Sequence, residues 1–179
     1  QNVNLSEKKY LSIINAKTAE LFRISCYLPT IITNQDRNTQ KIFNDFGFNF
    51  GMAFQLSDDI LDYFGNSKKM GKNIGKDFFE GKVTYPIIHC FRQSDKKSKR
   101  IIAKLFLKKR RNKKDLNLIL SLMKKTNTYE RSAEFVRKFA KKAKTNINKF
   151  EGSKYKVYLV ELVDHLITVS YTHLRAHET

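Results

Sequence analysis

The chain has 179 residues, 41% of them hydrophobic, enough to bury a sizeable core and to exclude a disordered segment. Its net charge of +18, from 35 basic and 17 acidic residues, suits an anionic partner such as nucleic acid, an anionic membrane or a phosphorylated substrate. Cys26 and Cys90 stand alone, which excludes a cysteine metal knuckle or a disulfide framework and suits a reducing, cytoplasmic setting.

Glycine (7) and proline (2) are scarce, which favours long helices over many short strands. The chain starts without Met inside a predicted helix, so it reads as a fragment or an excised domain. A first helix is predicted from about Leu5 to Leu28, with Pro29 ending or kinking it. A second is predicted from about Thr39 to Phe64. Gly65 to Gly81 holds four of the seven glycines and reads as a loop. A third helix opens near Thr84-Tyr85-Pro86, since Pro is tolerated in a first turn. Further helices fit 97–110, 113–126, 128–149 and 153–168, and no alternating strand pattern occurs, so the fold class is all-α. Residues 1–168 read as one domain portion. Residues 169–179 carry His173 and His177 without a helical stripe and read as a non-native tail.

The second helix carries the most informative pattern. Stepping about 100° per residue places Asp58, Asp59 and Asp62 within roughly 60° of Gln55, on one stripe. Phe48 and Gly51 lie on the same stripe, and none of the 26 lysines falls between Asn44 and Asn66, which is unusual for a solvated face. Three carboxylates so close repel by about 1 kcal/mol per pair in water, and by several-fold more where water is excluded. A divalent cation removes that cost, and Mg²⁺ typically takes one or two carboxylates together with substrate phosphates. A solvated acidic face remains the alternative.

On the first helix Lys17 is predicted near the middle of an apolar face made by Tyr10, Ile13, Ile14, Leu21, Ile24 and Leu28. A lysine there must snorkel to water or meet an anion, and Thr18 beside it offers a hydroxyl. The glycine-rich stretch from Gly71 to Pro86 adds Lys72, Lys76 and Lys82, a composition that suits a diphosphate held by point charges and backbone amides. It lacks the Walker A spacing.

In order, AKTAELF (16–22), FGFNFGMAFQLSDDILDYFG (46–65), GKNIGKDFFEGKVTYPII (71–88) and SAEFVRKFAKKAKTNI (132–147) resemble segments of the trans-prenyltransferase family of polyprenyl diphosphate synthases. The resemblance spans about residues 8–168. It implies an isoprenoid synthase helical bundle with a central cavity, of which this chain is the C-terminal part. It also implies condensation of isopentenyl diphosphate with an allylic diphosphate to an all-trans polyprenyl diphosphate, with Mg²⁺ as cofactor. On that basis Asp58 is the direct metal ligand, and Asp59 and Asp62 support it directly or through water. Asp77 holds metal-bound water. Lys17, Lys72 and Lys82 grip the allylic diphosphate, and Thr18 and Gln55 line the site. The family's first aspartate-rich motif and its paired arginines are absent from these residues, so this chain alone is expected to be inactive. The family is commonly homodimeric, and its products feed quinone side chains or other isoprenoids.

Alternatives are a terpene cyclase type enzyme on the same fold, a non-catalytic synthase subunit and a nucleic-acid module. Residues 92–114 hold twelve Lys or Arg against one acid, Asp95. Only one aromatic, Phe106, lies between the basic residues 92 and 114, and base stacking needs more, so nucleic acid is not expected. The run reads as a solvated helical surface, with peripheral contact to an anionic membrane as the functional alternative.

Overall fold

The structure, a computed structural model, describes residues 3–65, 74–151 and 153–171. All regular structure among them is helical, as the sequence predicts. The elements are α1 (Glu7–Ile14), a π-helical turn (Asn15–Ala19), α2 (Glu20–Ile32), α3 (Arg37–Phe64), α4 (Lys76–Glu80), α5 (Tyr85–Gln93), α6 (Lys96–Leu107), α7 (Lys113–Lys125), α8 (Thr128–Asn148) and α9 (Lys156–Tyr171). Two departures from the predicted elements stand out. Pro29 neither ends nor visibly interrupts α2, which runs on to Ile32. Its missing N–H costs α2 one intrahelical bond. The predicted loop contains the short helix α4, while residues 66–73 lie outside the described residues. The last helix takes in residues 169–171, and the tail histidines His173 and His177 lie outside the described residues.

The chain forms two compact units. The first comprises Gln1–Tyr10 and Asp58–Ala133. In it α5 packs on α6 and α7, and α6 on α7, around Val3, Tyr63, Phe78, Ile87, Cys90, Ile102, Phe106 and Met123. Local capping explains where these helices start. The Asp95 side chain accepts the Ser98 N–H at 2.6 Å to open α6. Asn112 and Asp115 form a reciprocal capping box at the start of α7 (3.0 and 3.1 Å), and the Lys108 ammonium donates to Asp115 at 2.6 Å.

The basic run is not uniform. Its Arg111 guanidinium donates to the carbonyls of Leu105 (2.9 Å) and Phe106 (2.8 Å) and lies over the rings of Phe78 and Phe106. It satisfies orphan carbonyls at the α6 C-terminus while stacking on two core rings, so it is a structural clamp. Lys96, Lys97, Arg100, Lys104, Lys109, Arg110, Lys113 and Lys114 are exposed.

The second unit comprises Leu11–Ser57 and Glu134–Thr179. Its buried residues include Ile42, Phe46, Ala53 and Leu56 of α3, Val136, Ala140, Ala143 and Ile147 of α8, and Val163 of α9. Rings of Phe22 and Phe50 meet edge to face at 5.3 Å, those of Phe43 and Phe150 at 5.0 Å. Lys144 of α8 pairs with Asp164 of α9 at 2.8 Å.

Candidate active site

The π turn carries Lys17 and Thr18. The fully buried positions run Tyr10, Ile14, Ala19 and Thr30, and Leu11, Asn15, Thr18, Glu20, Phe22, Arg23, Cys26 and Tyr27 are half-buried. The step from Ile14 to Ala19 is five residues, the i→i+5 period of a π turn, where a continuous α-helix steps by three or four. Ile13, Lys17, Leu21, Ile24 and Leu28 are all exposed and recur at steps of three or four residues, so they share one exposed face. Lys17 is exposed among the apolar residues predicted around it, of which only Tyr10 and Ile14 are buried.

The same turn brings Thr18 to α3. The Thr18 hydroxyl donates to Gln55 Oε1 at 2.7 Å, and Gln55 is buried. Glycines make this approach possible. A methyl placed on Gly51 would stand 2.6 Å from Ala19 Cα, and one on Gly47 would stand 2.6 Å from the Phe22 carbonyl oxygen. Gly51, conspicuous in the sequence as a residue on the acidic stripe, is the contact at which the π turn packs on α3. The contact between Thr18 and Gln55 is not predicted from the sequence, which names both only as residues lining the site.

In the first unit the last turns of α3 present three carboxylates in three environments. Asp58 is exposed. Asp59 is 4% exposed, and the hydroxyl of the equally buried Tyr10 donates to its Oδ2 at 2.5 Å. Burial, then the Asp59 charge, hold the Tyr10 hydroxyl well above the usual phenol range, so it stays a donor. Asp62 is half-buried and accepts the Asp77 N–H at 3.0 Å, while its own carbonyl accepts the Gly75 N–H at 2.6 Å. Burial first, and then the charge of Asp77, lift the Asp62 carboxyl to about 6 despite that hydrogen bond.

The glycines flanking α4 set up this arrangement. Gly75 (φ +82°) and Gly81 (φ +75°) both adopt the left-handed backbone that favours glycine. They flank the short helix, Gly75 at its start and Gly81 at the turn into Lys82. Lys82 then donates to Asp77 Oδ1 at 3.2 Å and meets Glu80 at 2.6 Å. The hydrogen bonds to Glu80 and Asp77 push its ammonium well above the usual lysine range. The first unit therefore gathers Asp58, Asp59, Asp62, Asp77 and Lys82 around the end of α3, and the second gathers Thr18 and Gln55. Lys72 lies outside the described residues.

Sequence reasoning missed two participants. Tyr10 counted only as an apolar-face residue, although its seven-residue spacing from Lys17 was visible. Glu80 carried no signal beyond its place in the loop.

The acids can fit a cation in one way only. Among the described residues no group of three or more Asp, Glu, His or Cys is gathered so as to hold a metal ion alone. Among the same residues Asp58 and Asp62 make no ion pair, and Asp62 is charge-crowded. Such a donor set matches a hard cation that takes one or two carboxylates and completes its shell with water and phosphate oxygens.

Comparison with known proteins gives a consistent answer. Residues 1–123 match the family model described as polyprenyl synthetase. The octaprenyl diphosphate synthase of Haemophilus influenzae is 31% identical over 164 residues, covering 90% of this chain and 50% of that protein. The geranylgeranyl pyrophosphate synthase of Geoglobus acetivorans is 30% identical, covering 92% of this chain and 49% of that protein. The polyprenyl synthase of Caulobacter crescentus, solved with calcium and isoprenyl diphosphate, superposes with a TM-score of 0.86 at 31% identity, covering 93% of this chain and 51% of that one. The chain spans about half the length of the relatives it matches. It belongs to the polyprenyl synthetase family.

Proposed function

We propose that the full-length protein is a trans-prenyltransferase that condenses isopentenyl diphosphate with an allylic diphosphate to give an all-trans polyprenyl diphosphate, using Mg²⁺. The observation that carries this reading is the end of α3, where exposed Asp58 stands one helical turn from Asp62, a half-buried carboxylate crowded by Asp77. In a family member such a stripe fits a cation shared with a diphosphate. Bound Mg²⁺ would supply positive charge to the departing diphosphate.

The chain's own residues have distinct parts in this reading. Asp58 offers an oxygen to the cation from the exposed side of the stripe. Asp62 carries the α4 segment on one oxygen, and Asp77 would position a water on the cation. Lys17, exposed on the π turn, and Lys72 and Lys82 bind the allylic diphosphate. Lys82 has to exchange Glu80 for a phosphate oxygen, a trade between two anions on the same ammonium. The Thr18–Gln55 hydrogen bond fixes both side chains before substrate arrives. The allylic carbon–oxygen bond breaks, the isopentenyl double bond supplies the electrons of the new carbon–carbon bond, and the proton lost goes to the released diphosphate.

Products of this kind serve quinone side chains or other isoprenoids, and a homodimer in the cytoplasm is the expected form. No helix among the described residues is long and apolar enough to cross a membrane. The exposed lysines of α6 and the turn after it support peripheral contact with an anionic membrane. Incubating the full-length protein with both diphosphates and Mg²⁺ tests the activity. Elongated prenyl products that vanish with a chelator are expected, and no elongation would contradict it.

A further inference from the structure

Tyr10 and Asp59 are 49 residues apart in sequence and are both almost wholly buried, 3% and 4% exposed. Their hydrogen bond spans 2.5 Å, and it joins α1 to the turn of α3 that bears the acidic stripe. The Tyr10 ring also lies 6.1 Å from that of Tyr85, the buried residue that opens α5. The Tyr10 ring is thus packed against a second element while its hydroxyl holds Asp59. The Asp59 carboxylate is buried against Tyr10, and its backbone adjoins that of the exposed Asp58.

We propose that Tyr10 is a positioning residue for the acidic stripe: by anchoring the buried Asp59 carboxylate it fixes the turn that presents Asp58, and so sets the affinity of that turn for a divalent cation. The inference rests on the reading of the stripe as a cation site and goes further by assigning a role to a residue outside it. Partners that orient metal-binding groups typically change metal affinity by 10- to 100-fold when removed. A tyrosine that merely fills the core would alter melting temperature and leave the affinity alone.

The test measures Mn²⁺ binding by electron paramagnetic resonance in the full-length protein with inorganic diphosphate present. Four proteins form a cycle: wild type, Tyr10→Phe, Asp59→Asn and the double variant, each checked for helical content by circular dichroism. Tyr10→Phe should weaken Mn²⁺ binding about tenfold, and should add less than a further twofold loss in the Asp59→Asn background. Unchanged affinity in Tyr10→Phe, or losses that simply multiply in the double variant, would overturn the role assigned to Tyr10. Should Tyr10→Phe not fold, Asp59→Asn alone decides, because it keeps the tyrosine and its packing; undiminished Mn²⁺ affinity there overturns the proposal. Asp58→Ala is the separate control. If it leaves Mn²⁺ binding intact, the cation site itself is wrong; if it abolishes binding while Tyr10→Phe does not weaken it, only the role of Tyr10 fails.

Discussion

The Asp77 backbone N–H donates to the Asp62 carboxylate at 3.0 Å, so the short helix after the glycine-rich loop is moored on the acidic stripe. Asp62 thus has a structural task that its place in a D-D-x-x-D pattern does not reveal. The hydrogen bond favours the ionised form, but burial and the Asp77 charge outweigh it.

A pH dependence follows. Asp62 titrates at about 6 in the folded protein, against 3.8 for an ordinary aspartate. The folded state therefore holds the proton more tightly than the unfolded chain. The resulting stability is fully present below the ordinary value and is lost as pH rises through the window from 3.8 to about 6. Metal-free protein should lose more thermal stability between about pH 4 and pH 7 than Asp62→Asn does. Matching melting curves across that range would show that Asp62 is not perturbed.

Gly51→Ala should destabilise the protein by about 1–3 kcal/mol, because the added methyl meets backbone of the π turn and cannot be accommodated by a rotamer change. Chemical denaturation measures this directly. The same variant should disturb the Thr18–Gln55 hydrogen bond, so the affinity for an allylic diphosphate should fall as well.

Arg111→Lys should be nearly as damaging as Arg111→Ala, with a loss of about 1–3 kcal/mol in each, since a point ammonium cannot serve two carbonyls and stack on two rings. Lys109→Ala, a few residues away and exposed, should change stability by less than about 0.5 kcal/mol. Thermal melts of the three variants separate the clamp from the surface charges.

These residues also show what could be read without coordinates. The all-α class was legible because helix-breaking residues are scarce, and the family resemblance because its segments keep their order along the chain. The π turn at Asn15–Ala19 was not legible, because no local composition marks it. Arg111 was counted among the surface charges, because only tertiary contacts distinguish it from Arg110. The partnership of Tyr10 and Asp59 was hidden for the same reason: a contact 49 residues long leaves no periodicity.

Binding to anionic vesicles should follow from the exposed lysines of the basic run, at about 1 kcal/mol per cation near the surface, and should fall steeply with salt. Replacing Lys96, Lys97, Arg100 and Lys104 by Gln should weaken co-sedimentation with vesicles without affecting turnover. Salt-independent sedimentation would remove the membrane from the account.

The most direct measurement is the turnover of the full-length Asp58→Ala protein with isopentenyl diphosphate, an allylic diphosphate and saturating Mg²⁺. Asp58 is exposed, so its removal should leave circular dichroism and melting temperature close to wild type. Turnover should drop by at least about 100-fold, as expected when a residue that stabilises the departing charge is lost. Near-normal turnover in a folded Asp58→Ala protein would contradict the claim that the end of α3 holds the reacting diphosphate through a divalent cation.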